Sequence, residues 1–220
     1  MLSLTVRVLG PADTTAATSI LVRAFDREPA KLTMLSDPTV RRSLLEVFVK
    51  ARLYDTLRYG TAHGAEVDGE LGAIAVWYPP GVPKLSAGGA MRLALGLFRN
   101  VASVARSFPR IIRILLSDVR GAAALVKQRR PAVARATQGR TWCLDVLGTA
   151  PEHRGKGLAR ALLERQLQRC DQDGAAVWLE ATDPVNPPIY ERFGFETIAH
   201  IDGSTWLPGY WIMRREPRPV

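Results

Sequence analysis

Between Arg154 and Ala159 the chain reads R-G-K-G-L-A, two cations and two glycines within six residues, and then turns at once into an apolar helical pattern. A glycine-bearing turn between a strand and a helix is a layout that binds anions. Amides at the helix start converge, and the helix dipole adds partial positive charge. Gly155 and Gly157 would let the backbone approach a bulky phosphate, while Arg154 and Lys156 bring charge. The same turn also serves a plain strand-to-helix connection with solvated cations. Two nucleotide-binding readings fail on the residues. A P-loop needs Gly-Lys followed by Ser or Thr, but Gly157 follows Lys156; a dinucleotide fingerprint needs a small residue where Arg160 stands. Metal chemistry finds little support: Cys143 and Cys170 form no CxxC, and His63, His153 and His200 lie far apart, so no metal is expected. His153 reads as a surface turn residue. The tryptophans read as core, with Trp77 and Trp142 able to line a pocket.

The elements that must position this turn are legible from periodicity. "LTVRVL" alternates as a strand, and "PADTTAATSILVRAFDREP" continues with helical spacing. A second helix should begin near Asp37–Pro38 and stop at Gly60. "TAHGAEVDGELGAIAVWYPPG" reads as a hairpin about Asp68–Gly69. "TWCLDVLGTA" is a buried strand, and the helix after it carries Leu158, Leu162, Leu163, Leu167 and Cys170 on one face. "AAVWLEATD" is a strand, and "PVNPPIYERFGFETIAHI" is a short helix broken at Gly194 and then a strand. "TWLPGYWIMRRE" closes the chain. This order predicts an α/β (α+β) fold with a mixed central sheet flanked by helices. Residues 1–220 read as one domain with a basic helical insertion at about 84–135, ahead of the glycine-turn strand.

The net charge of +9 is local. Ten Lys or Arg against the single Asp118 lie between Arg92 and Arg135, and bases and acids balance elsewhere. Overall basicity is thus no sign of a nucleic-acid partner, and none is expected. Arg92, Arg99, Arg106, Arg113, Arg120 and Lys127 recur every seven residues, which lines them up along a helix. Pro109 should divide the run into two basic amphipathic helices. No 18-residue apolar stretch and no leader pattern is present, so no transmembrane segment and a cytoplasmic location are expected.

The pattern R-x-x-G-x-A (Arg154, Gly157, Ala159) after "CLDVLGT", with N-x-x-x-Y-x-x-x-G-F (Asn186, Tyr190, Gly194, Phe195) after "VWLEATD", resembles the GNAT acetyltransferase superfamily. "APEHRGKGL", "YERFGF" and the terminal Trp211, Met213, Arg215 and Pro217 are similar to its puromycin N-acetyltransferase-like members. The resemblance implies a mostly antiparallel GNAT sheet and direct acetyl transfer from acetyl-CoA (coenzyme A) to an amine. The acceptor it implies is a small molecule: a xenobiotic, an antibiotic or a metabolite. Acetylation of a peptide or protein amine, or an acyl-CoA-binding regulator without chemistry, are the alternatives. The loop Arg154, Gly155, Lys156, Gly157, Leu158 and Ala159 would hold the pyrophosphate, and Thr149 and Asn186 the pantetheine arm. By the same resemblance the Leu147 amide would meet the acetyl carbonyl, and Tyr190 would protonate the leaving sulfur. Where some members carry a glutamate, this chain has Cys143. Glu180 is therefore the first candidate for the proton acceptor and Asp145 the second.

Overall fold

The structure, a computed structural model, describes residues 3–28, 32, 35–58, 61–82, 84, 86–102, 105, 109, 119–203 and 209–219, with backbone alone at 119–122. In chain order the elements are β1 (Leu4–Val8), α1 (Thr14–Phe25), α2 (Pro38–Arg58), β2 (Ala62–Val67), β3 (Glu70–Tyr78), α3 (Ala87–Arg99), α4 (Val119–Ala136), β4 (Thr141–Thr149), α5 (Leu158–Gln172), β5 (Ala176–Ala181), α6 (Pro187–Glu191), β6 (Glu196–Ile201) and β7 (Tyr210–Arg215). Local chemistry explains their limits. Asp37 caps α2 by accepting from the amides of Thr39 and Val40 at 2.8 and 3.1 Å, with Pro38 in the first turn. The β2–β3 hairpin turns on Asp68 and Gly69, whose φ angles of 52° and 82° are those of the tight turn that a right-twisted hairpin favours.

The strands form one sheet in the order β1-β2-β3-β4-β5-β7-β6. Only β4 and β5 run parallel; the other pairs are antiparallel. One face carries α1, α2 and α4 over Leu21, Leu53, Leu57, Ile74, Val76 and Ile212. The other carries α5, whose Leu158, Leu162, Leu163, Leu167 and Cys170 are buried as their spacing predicts. Trp77 and Trp142 belong to this second core rather than to a pocket wall. Gly148 sets the spacing on the first face. A Cβ there would meet Leu21 Cδ2 at 2.8 Å and Ala24 Cβ at 3.2 Å, so glycine lets α1 lie directly on β4.

Within the expected insertion, α3 packs on α2. The Arg92 guanidinium lies over the Tyr54 ring, 4.1 Å from its centroid. Met91, Leu95 and Phe98 face outward on the same helix. Arg106, Arg110, Arg113, the Arg120 side chain and the chain flanking Pro109 lie outside the described residues. Among the described residues no helix is long and apolar enough to cross a membrane.

Candidate active site

The site is built where β4 leaves β5. The two strands pair over Thr141–Leu144 opposite Ala176–Leu179, and the pairing ends there. On its other edge β4 shifts register at the same place. Val76 faces Val146 and Trp77 faces Leu144, so Asp145 is an extra, bulged residue. A bulge bends its strand, which accounts for β4 turning away just past Leu144. Amide direction then follows from alternation. The Ala150 amide donates to the Gly72 carbonyl at 2.9 Å, and Gly148 and Val146 share that phase opposite Ile74 and Val76. Their amides point to β3. Those of Leu147 and Thr149 point the other way, into the gap.

The loop after β4 supplies more unclaimed amides. Gly155 and Gly157 have φ of 75° and 81°, the left-handed region that glycine enters at little cost. A Cβ built on Gly155 meets nothing within 4 Å, and one on Gly157 reaches only Leu4 Cδ1 at 4.0 Å. The left-handed backbone is one reason the loop needs glycine, and open space for a ligand lies where a Cβ would stand. Leu158, Ala159 and Arg160 form the first turn of α5, where amides have no intrahelical acceptor. The first bond of the ladder runs from the Ala161 amide to the Gly157 carbonyl at 3.0 Å.

Two hollows meet at the split. A groove of about 510 Å³ runs between β4, the loop, α5 and α6, and its walls include Leu147, Thr149, Arg154, Gly155, Gly157, Leu158, Ala159, Asn186 and Tyr190. A chamber of about 330 Å³ lies on the α1–α2 side, with Leu21, Leu45, Val49 and Leu53 among its apolar walls. Phe25, Glu28, Leu147, Thr182, Asn186 and Tyr190 line both.

Each ionisable group here has a definite setting. The Tyr190 ring stands edge-on to Phe195 with centroids 5.7 Å apart. Burial pushes its hydroxyl up to about 12, so it stays protonated and able to donate. Burial also pushes the Cys143 thiol up to about 12 although Lys84 pulls it the other way. Cys143 therefore remains a thiol and is no substitute for a carboxylate base. Asp145 accepts from Arg52 Nη1 at 2.6 Å and pairs with Lys84 Nζ at 3.0 Å, and that ammonium lies 4.6 Å from the centre of the Trp178 ring. Glu180 accepts from Arg129 Nε at 2.9 Å. Glu28 Oε1 accepts from the Thr182 hydroxyl at 2.6 Å.

The structure thus gathers most of the sequence candidates around one groove and puts Glu180 and Asp145 in the adjoining chamber. Lys156 is placed differently. Its ammonium is 3.4 Å from Nδ1 of His153, which lines the groove, while Lys156 itself is not among the lining residues. His153 is not the surface residue its sequence context suggests. Its ring is buried against Gly72, where a Cβ would come within 2.7 Å of His153 Cγ. Arg52, Lys84 and Glu28 were not singled out from the sequence. The first two carry no local signal. Glu28 carries a faint one, because acids just past a helix C-terminus oppose the helix dipole.

The molecule is thus a seven-stranded mixed sheet, split beside a glycine-bearing loop that lines a groove. Residues 140–198 match the family model described as an acetyltransferase (GNAT) domain. An uncharacterised N-acetyltransferase of Schizosaccharomyces pombe is 34% identical over 95 residues. That match covers 42% of this chain and 38% of the relative, so it spans about two fifths of that protein's length. Among solved structures, one described as histone acetyltransferase HPA2 and related acetyltransferase from Corynebacterium glutamicum superposes with a TM-score of 0.63 at 21% identity. It covers 99% of this chain and 98% of that one. The PaiA N-acetyltransferase of Thermoplasma acidophilum, solved in complex with coenzyme A, gives 0.55 at 13% identity, covering 97% and 99%.

Proposed function

We propose that the protein transfers an acetyl group from acetyl-CoA directly to the amine of a small molecule. The observation that carries this reading is the meeting of the groove and the chamber at Leu147, Asn186 and Tyr190. The residues present fit the cofactor. The unclaimed amides at the loop and helix start suit a pyrophosphate, and the outward amides of Leu147 and Thr149 suit a carbonyl and an amide-bearing arm. Asn186, at the N-terminal end of α6, lines the same path. In the reaction the amine nitrogen bonds to the acetyl carbon, the carbon–sulfur bond breaks with its electron pair going to sulfur, and Tyr190 supplies the proton that sulfur takes up. The Leu147 amide receives the charge that develops on the carbonyl oxygen.

The chamber favours a monoamine with an apolar body. At about 330 Å³ it lies at the small end of ordinary ligand pockets. Asp145 and Glu180 are each paired to cations already, so neither is left to meet a second ammonium. The test is a thiol-release assay with acetyl-CoA and a panel of arylalkylamines, aliphatic monoamines, polyamines, a lysine-bearing peptide and puromycin. Turnover of apolar monoamines at rates well above polyamines and peptide is expected. Acetyl-CoA binding with no turnover on any amine would instead leave an acyl-CoA-binding regulator.

A further inference from the structure

We infer that α3 docks the protein on an anionic lipid bilayer, sinking Met91, Leu95 and Phe98 among the headgroups while Arg92 and Arg99 meet lipid phosphates. A surface helix ordinarily turns its large apolar residues to the core. In α3 the arrangement is reversed. Gly88 and Gly96 lie against α2, where a Cβ would come within 2.7 Å of Tyr54 Cε1 and 2.6 Å of Val47 Cγ1. The large residues point away: Met91 is 61% exposed, Leu95 51% and Phe98 77%. By helical period these three share one side of the helix with Ala90 and Ala94, and all five are exposed. The helix is held against rolling to hide this side. Ser86 Oγ donates to Asp55 Oδ1 at 2.7 Å and accepts from the Gly89 amide at 3.1 Å, and the Ser86 amide donates to Asp55 Oδ2 at 3.1 Å. The Arg92 guanidinium over Tyr54 is a second fastening.

Charge decides what such a face meets. From Leu71 to Ser117 the chain has no acid, while Arg92, Arg99, Arg106, Arg110 and Arg113 fall within that stretch. Arg92 and Arg99 are both exposed and lie along one edge of the apolar side. A second copy of the chain would set that face against itself, since a two-fold interface is self-complementary, and two positive edges would then repel. A bare polyanion such as nucleic acid would answer the guanidiniums and leave Met91, Leu95 and Phe98 in water. A bilayer containing acidic lipid answers both. Apolar side chains settle about 5–10 Å into the boundary between headgroups and acyl chains, and the cations are drawn to the negative surface. The helix also borders the chamber. Val47, beneath Gly96, is followed by Phe48 in the chamber wall, so docking brings that wall to the lipid surface. None of this depends on the acetyl-transfer reading.

The experiment sediments the full chain with vesicles of phosphatidylcholine alone and of phosphatidylcholine mixed with phosphatidylglycerol. Binding to the mixed vesicles is expected, at least about tenfold tighter than to the neutral ones, because each cation near an acidic leaflet contributes about fivefold. That advantage should shrink in concentrated salt, where the Debye length falls to about 3 Å. Leu95→Gln/Phe98→Gln should lose at least about tenfold on mixed vesicles, since two side chains no longer leave water. Arg99→Gln should lose about fivefold, at low salt only. Both variants should keep the wild-type Tm, because the altered side chains face solvent. Val8→Gln, a similarly exposed position on β1, should bind vesicles as the wild type does. Absence of binding to either vesicle, equal binding to both, or undiminished binding by the double variant would overturn the inference. A wild-type dimer that the double variant abolishes would give the face to a second copy and overturn it too.

Discussion

Two residues of the groove are set by conformation and by protonation, and each can be tested singly. Gly157 sits at φ 81° with almost nothing where a Cβ would go. Left-handed backbone costs most L-residues roughly 1–2 kcal/mol, while asparagine tolerates it better. Gly157→Asn should therefore retain more acetyl-CoA thermal stabilisation than Gly157→Ala, although asparagine is larger. The reverse order would mean that room for the ligand, and not handedness, is what the glycine provides. Tyr190→Phe keeps the edge-on contact with Phe195 and removes only the hydroxyl. We expect kcat to fall by about 10²-fold, with acetyl-CoA affinity within a few-fold because one hydrogen bond is lost; undiminished kcat would return Tyr190 to a packing role. At this scale the sequence singled out Leu147, Thr149, Gly155, Gly157, Asn186 and Tyr190 from two short motifs, and the structure brings all six to the walls of one groove. It misled for His153, which is buried, because a motif gives residue types but not which way a side chain turns. The space beneath Gly72 that takes the His153 ring is made by a strand some eighty residues earlier.

Helices and strands were largely readable from period, and their order in the sheet was not. Nothing local in "YWIMRR" says that β7 inserts between β5 and β6. Nor does anything in α1 or α2 announce that their far ends complete a site founded on β4, which is why Glu28 and Arg52 escaped notice. Placement of β7 is secured by Arg215, which is buried and grips Asp171 of α5 with two bonds of 2.7 Å while donating to the Phe193 carbonyl. Asp171 also accepts from the Arg218 amide at 2.8 Å. The Arg215 guanidinium holds the Asp171 carboxyl below its usual range. Removing one partner of a buried pair strands the other, at about 3–5 kcal/mol. Asp171→Ala should lower Tm by roughly 6–20 °C for a chain of this size. A shift of a degree or two in a thermal melt would mean that water reaches Arg215 and replaces the carboxylate.

For the whole molecule, pH sensitivity should begin with a histidine remote from the site. His63 on β2 is buried, and burial together with Arg165 and Arg169 pulls its pKa from 6.5 to about 4. The folded pKa is thus depressed, and the unfolded chain takes up the proton first. The stability that this neutral residue contributes is complete above about pH 6.5 and is lost as pH falls toward 4. The loss amounts to roughly 3 kcal/mol. The depressed carboxyls, Asp13, Asp26, Asp171 and Glu216, act at lower pH. Denaturant midpoints taken between pH 7 and 4.5 should decline in the wild type and much less in His63→Phe. Parallel declines would place the acid-sensitive group elsewhere.

The parting of β4 from β5 also has a signature in isotope exchange. Past Leu144 the amides of β4 belong alternately to β3 and to open space, so free protein should show a comb: Val146 and Gly148 slow, Leu147 and Thr149 fast. A ligand lying along the gap would behave as a temporary neighbouring strand. Adding acetyl-CoA should slow the two fast amides and leave the slow pair as they were, an every-other-residue footprint that a general tightening of the fold would not leave.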